Sequence, residues 1–177
     1  IACLKAGRHV YCEKEMANSI EDCKRMVRTA RATGKLLQIG HQRRSNPRYL
    51  HALKLHREEK VLGRVTHAYG QWNRARALDL GWPKKHALDG ATLARYGYGT
   101  MERFRNWRWY RKFSGGPMAD LGSHQVDILA WFIGSPPVSV QAVGSNGYYP
   151  GREWWDSVMA VYEFRTVNGP VTAFYQV

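Results

Sequence analysis

A chain of 177 residues that is 44% hydrophobic and 12% aromatic carries enough apolar side chain for one good core or two small ones, which excludes a disordered chain. Its 27 Lys and Arg against 14 Asp and Glu give a net charge of +13, a sign that raises nucleic acid as a partner, yet the cations are scattered from Lys5 to Arg165 rather than gathered. Cys3, Cys12 and Cys23, odd in number and without Cys-x-x-Cys spacing, indicate neither a disulfide framework nor a metal site, and no apolar run approaches the roughly 18 residues of a membrane span.

The chain opens at Ile1 in a helical pattern without methionine and stops at Val177 inside an apparent strand, so it reads as a fragment. Ile1–Ala6 end a helix that Gly7 closes, and the apolar strand His9–Cys12 delivers Glu13 and Lys14 at its carboxyl end, where open parallel sheets hold ligands. Asn18 or Ser19 caps the next helix, whose buried stripe is Cys23, Met26, Val27 and Ala30 before Gly34 ends it, and Lys35–Gly40 is a second buried strand. Strand, crossover helix and strand imply a parallel pair with a right-handed connection, the last part of a doubly wound sheet.

After His41–Gln42–Arg43–Arg44 the character changes. Ser45 or Asn46 before Pro47 starts a helix ending near Gly63, and from Arg64 the period drops to two through Val65–Trp72. Asn73–Phe113, rich in Trp, Arg, Gly and Tyr but aperiodic, predicts either a functional loop or a segment with short local helices. Pro117–Ile133 predicts one helix, and Val138–Val143, Asp156–Phe164 and Val171–Val177 complete, with Val65–Trp72, a largely antiparallel sheet. The fold class expected is therefore α/β plus α+β, with a first domain over 1–44 and a mainly antiparallel open-sheet domain, helices on one face, over 45–177.

On a continuous helix from Pro117, Asp120, His124, Asp127 and Trp131 fall on one stripe. Such spacings also arise by chance on a solvated edge, but Trp131 within the stripe, Gly122 inside the helix and Gly115–Gly116 just upstream argue for a site. A carboxylate one turn before a histidine can fix its tautomer and raise its basicity, as a general base near neutral pH requires. The run Arg103–Lys112 alternates cations with aromatics, which suits single-stranded nucleic acid, but Arg and Trp equally line sugar and anion pockets.

Ala6–Gly7–Arg8–His9–Val10–Tyr11–Cys12–Glu13–Lys14 resembles the Ala-Gly-Lys-His-Val-x-Cys-Glu-Lys-Pro motif of the Gfo/Idh/MocA oxidoreductases, a family that includes inositol dehydrogenases and glucose-fructose oxidoreductase, and Gly115–Gly116 with Asp120, His124 and Asp127 is similar to its Gly-Gly-x-x-x-Asp-x-Gly-x-His motif. The resemblance implies the end of a Rossmann dinucleotide-binding domain followed by a substrate domain, NAD or NADP as cofactor, and hydride transfer with a sugar, cyclitol or related polyol. It implies Lys14, Asp120 and His124 as catalytic residues, with Asp120 orienting His124, and Glu13, Lys14 and Gln42 as cofactor contacts. Arg43, Trp72, Arg74, Trp107, Arg111 and Asp120 are expected to bind substrate, because sugars are held by flat aromatic surfaces and forked donors. All three catalytic side chains should then converge on one cleft.

An open sheet face invites a homo-oligomer, and with no signal segment in view the expected location is cytoplasmic. An NAD-using glycosidase of the same superfamily and a basic-aromatic nucleic-acid module are the alternatives. Two features depart from the family pattern: Glu15 stands where proline follows the motif lysine, removing the usual reason for a cis bond there, and no Gly-x-Gly-x-x-Gly occurs, a fingerprint expected upstream of Ile1.

Overall fold

Helix α1 (Ala2–Lys5) leads through Gly7 into strand β1 (Val10–Glu13), which pairs in parallel with β2 (Leu37–Gly40), Glu13 standing opposite Gly40. The structure is a computed structural model and describes residues 1–73 and 79–177. Helix α2 (Ile20–Thr33) connects the two strands; the Ser19 side chain accepts the Asp22 N–H at 3.1 Å to start it, and Gly34, left-handed at φ 64°, stops it. Its expected buried stripe is only partly covered, with Cys23, Met26 and Ala30 half-buried and Val27 exposed, because two strands offer a 14-residue helix little surface. All three cysteines are free, and Cys3 is exposed.

Asn46 accepts the Arg48 N–H at 2.9 Å and Pro47 fills the first turn of α3 (Pro47–Arg57), which ends earlier than expected, followed by turns from Glu58 to Gly63. Strand β3 (His67–Gln71) comes next, then short helices α4 (Gly90–Arg95) and α5 (Met101–Arg105), capped by Asp89 and Thr100, in the segment expected to be aperiodic. Strands β4 (Pro137–Ser145), β5 (Ser157–Thr166) and β6 (Gly169–Gln176) form antiparallel hairpins in a four-stranded sheet of order β3-β6-β5-β4. The pairing of β3 with β6 is parallel, so the sheet is mixed. The crossover between β3 and β4 leaves those two strands pointing the same way, and two hairpins then bring β6 back alongside β3.

The chain from Pro117 to Ile133 is not one regular helix. Met118–Gly122 form a π-turn, and α6 (Ser123–Ile133) continues from it. Close contacts surround this turn: a Cβ on Gly122 would lie 3.1 Å from Met118 and Tyr175, and one on Gly116, at φ 73°, 2.5 Å from Trp154. Leu129, Ala130, Val126 and Ile133 of α6 pack on Ala160, Tyr162, Phe164, Val171, Ala173 and Tyr175, forming the core on one sheet face. The alternate residues Tyr69, Met159, Val161 and Val143 stay exposed on the other. No helix among the described residues is long and apolar enough to cross a membrane.

Candidate active site

Lys14, one residue beyond β1, reaches from the first sheet to the π-turn. Its ammonium donates to the backbone carbonyl of Asp120, to Asp120 Oδ1 at 3.1 Å and to Glu15 Oε1 at 2.9 Å. The Lys14–Glu15 peptide is cis, although proline is absent. Arg108, its guanidinium 4.4 Å over the Trp107 ring, brings Nε to 3.2 Å from the same Asp120 oxygen. Both ends of the bridge are largely buried, the side chains of Lys14 and Asp120 being 13% and 19% exposed.

Burial pushes the Asp120 carboxyl up, but the hydrogen bond and charge of Lys14, with Arg108 beside it, outweigh burial and hold it below the usual carboxylate range. A carboxyl depressed by folding contributes stability that is present above its unfolded value near 3.8 and is lost as pH falls through the folded value. Asp120→Asn is therefore expected to be less stable than the wild type at neutral pH, with the gap closing below about pH 4. Urea midpoints across pH check this; a gap independent of pH would refute the ionic contribution.

His124, 6% exposed, sits in the first turn of α6 with its ring 5.5 Å from that of Trp72. Arg43 lies over the same Trp72 ring at 4.9 Å and near Tyr49 at 5.8 Å. Burial first, then the charges of Lys14, Arg43 and His41, pull His124 below its ordinary value, against a weaker opposing pull from Asp120. The imidazole is thus neutral at pH 7. No direct hydrogen bond joins Asp120 to His124 among the described residues, contrary to expectation; the carboxylate is engaged by Lys14 and Arg108 instead.

The rest of the stripe docks the segment that leaves β2. Arg44 forks onto Asp127, with Nε at 3.0 and 2.9 Å from the two carboxylate oxygens and Nη2 at 2.8 Å, and lies over Trp131 at 5.1 Å. With Arg44 half exposed, Asp127→Ala is expected to lower stability by about 1 kcal/mol in urea unfolding, an unchanged midpoint counting against the fork. His41 Nδ1, 3.8 Å from Asp127, is buried without a hydrogen-bond partner, and Gln42 is exposed in a 3₁₀ turn.

The remaining expected contacts divide. Trp107 lines a hollow with Lys14, Glu15 and Gly115; Trp72 and Asp120 line a neighbouring one with Trp109, Arg152 and Trp154, so Lys14 and Asp120 meet but face two adjacent hollows rather than one cleft. Arg111 does not join them. Its amide donates to Glu153 Oε2 at 2.9 Å and its Nε to the Glu153 carbonyl at 3.0 Å, and it braces the Glu153–Trp154 segment. Arg74 lies outside the described residues. Sequence reasoning missed Arg108 and Arg152, the latter held between Trp109 at 4.0 Å and Tyr149 at 3.9 Å with Asp79 at 2.9 Å. It also missed Asp156, whose Oδ2 accepts the amides of Gly147, Tyr148 and Tyr149 at 2.9, 2.8 and 3.1 Å and so shapes the loop carrying Tyr149 and Arg152.

A nicotinamide dinucleotide fits the carboxyl edge of the β1–β2 pair, where Glu13 stands opposite Gly40, Lys14 follows the first strand, and His41, with its unsatisfied Nδ1, and Gln42 follow the second. A Cβ on Gly40 would come within 2.6 Å of Tyr11 Oη and 2.8 Å of Glu13 Oε2, the flexible ends of two side chains that would then have to shift.

The GFO/IDH/MocA C-terminal domain matches residues 50–176, and the oxidoreductase family with NAD-binding Rossmann fold matches residues 1–41. The 2,7-anhydro-N-acetylneuraminate hydratase of Mediterraneibacter gnavus is 26% identical over 156 residues, 86% of this chain and 35% of that protein. The 1,5-anhydro-D-fructose reductase of Ensifer adhaerens is 25% identical over 176 residues, 99% of this chain and 45% of that protein. The crystal structure of the WlbA dehydrogenase from Bordetella pertussis in complex with NADH and UDP-GlcNAcA superposes with a TM-score of 0.70 at 28% identity, over 99% of this chain and 45% of that one. The chain spans 30% to 45% of the length of the first curated relatives it matches. Two family matches in the expected order, the second covering most of the chain and carrying the Asp120–His124 helix, establish that the chain belongs to the Gfo/Idh/MocA oxidoreductase family.

Proposed function

We propose that the full-length protein is an NAD(P)-dependent oxidoreductase that moves a hydride between the nicotinamide and a secondary hydroxyl of a sugar, cyclitol or related polyol. The observation that carries this reading is the contact of Lys14, from the carboxyl edge of the first sheet, with Asp120 of the second, beside a neutral His124. When bound, the cofactor supplies the hydride acceptor, and Glu13, Lys14 and Gln42 would hold it. A C–H hydride leaves an alcohol only as the O–H proton leaves, so the site needs a cation at the oxygen and a base within reach. Lys14 supplies the cation. His124, kept unprotonated by burial and by Lys14, Arg43 and His41, supplies the base. Asp120 positions Lys14 and Arg108, while Trp72 covers the imidazole and, with Arg43 and Trp107, offers the substrate flat and forked contacts.

The exposed apolar sheet face supports a second copy of the chain as partner, and three free thiols support a reducing, cytoplasmic compartment. The cations of Arg103–Lys112 engage Asp120, Glu153 and Gly97, which favours a site wall over a nucleic-acid surface. The test is reduced-nicotinamide absorbance of the full-length protein with NAD or NADP against inositols, aldoses and polyols. Formation of reduced cofactor with at least one is expected, and none with any would defeat the proposal. The relative named a hydratase favours a second reading, transient oxidation assisting C–O cleavage; conversion of substrate without net accumulation of reduced cofactor would select it.

A further inference from the structure

We propose a second ligand site, for a compact oligophosphate, at the opposite end of α6 from His124. A cleft of about 850 Å³ opens between the end of α3, the end of α6 and the β5–β6 turn, lined by Arg57, Lys60, Arg64 and Arg165 and by no carboxylate. Its size is that of a small-molecule pocket. His124 lies in the first turn of α6 and Ile133 is its last residue, so the cleft lies about 14 Å from the candidate active site at roughly 1.5 Å per residue.

Among the described residues Arg57, Lys60 and Arg64 form no ion pair, and with Arg165 they share the lining of this one cleft. Arg165 reaches only Glu163, at 3.4 Å and largely exposed. Like charges drawn into one concavity repel unless an anion joins them. Lys60 adds an independent observation: its φ is 54°, in the left-handed region that favours glycine, so the turn after α3 holds a lysine where a lysine is disfavoured.

The floor of the cleft is fixed. Arg57 donates to the Trp131 carbonyl at 2.6 Å, His56 Nε2 contacts the Phe132 carbonyl at 3.1 Å, and the His56 and Phe132 rings stack 6.2 Å apart. These contacts cover the last carbonyls of α6, whose partial negative charge would otherwise face the anion. Several cations converging on one concave site, without a carboxylate, match the multiple charges of a diphosphate group, whether free or part of a nucleotide.

The test is calorimetric titration of the full-length protein with sodium pyrophosphate and, separately, ADP, at about 0.15 M salt with NADH in excess, so that a dinucleotide site does not report. Wild type is compared with Lys60→Ala/Arg64→Ala and with the control Lys84→Ala/Lys85→Ala, another pair of exposed lysines. Saturable binding is expected, weakened tenfold or more in the first variant and unchanged in the second. Pyrophosphate binding would identify a free oligophosphate, and binding of ADP alone a nucleotide; both support the site. No binding of either, or equal binding by both variants, would overturn it.

Discussion

Replacing His124 with alanine in the full-length protein is expected to lower turnover by about 10²–10⁴-fold and to leave cofactor affinity nearly unchanged. The imidazole is buried behind Trp72, and its substitution removes a proton acceptor without touching the carboxyl edge of β1 and β2. The pH profile carries the same information. A base must be unprotonated to act, and His124 is held below the ordinary 6.5, so the acid limb of kcat/KM should fall below that value and activity should persist into mildly acidic solution. Turnover within twofold of wild type in His124→Ala would remove the imidazole from the mechanism.

Lys14→Met is expected to lower kcat/KM by about 10²–10³-fold, since the role proposed for the ammonium is to stand as the cation beside a developing alkoxide. Its removal should also be read at the two neighbouring groups. Asp120 keeps only Arg108, so its carboxyl rises toward the usual range; His124 loses a cation that disfavours its protonated form, so its pKa rises too and the acid limb moves to higher pH. Titration of the His124 ring protons by NMR measures this without turnover. A limb that stays in place would mean that Lys14 and His124 act in separate environments.

Much of this arrangement is legible in the sequence, and the rest is not for identifiable reasons. Apolar runs of strand length around a capped helix disclose the β1–α2–β2 unit, although both strands, expected to be buried, leave alternate residues exposed, and the position of Lys14 past the first run puts it at the carboxyl edge of the pair. Period-two segments disclose the second sheet, but not that β3 joins β6 in parallel, because strand direction depends on the crossover rather than on any local residue. The spacing of Asp120 and His124 suggests a shared face. That Asp120 spends its carboxylate on Lys14 and Arg108 rather than on His124 depends on residues outside the helix, which no local pattern contains. Within Arg103–Lys112 the chemistry is visible and the assignment is not: the 3₁₀ turn Trp107–Trp109 aims Arg108 at Asp120, while Arg111 turns to Glu153. Arg152 escapes notice because the rings that hold it, Trp109 and Tyr149, come from different segments.

The π-turn at Met118–Gly122 makes chain length, as well as residue identity, a determinant of this site. Each residue of an α-helix turns the chain by about 100°, so an added residue is an added fraction of a revolution. The wide turn absorbs one such increment: everything from Ser123 onward stays seated on the sheet, while Asp120 is rotated to meet a lysine from the other sheet. Deleting one residue here would close the turn into ordinary helix and swing Asp120 out of reach of Lys14, with the core under α6 intact. Such a protein would fold with every motif residue but one still present and would have lost the Lys14–Asp120 bridge, while Arg44 on Asp127 still tied the segment after β2 to α6. Gaps and insertions that the long segment between β3 and the π-turn can accommodate are therefore not interchangeable with gaps in these five positions.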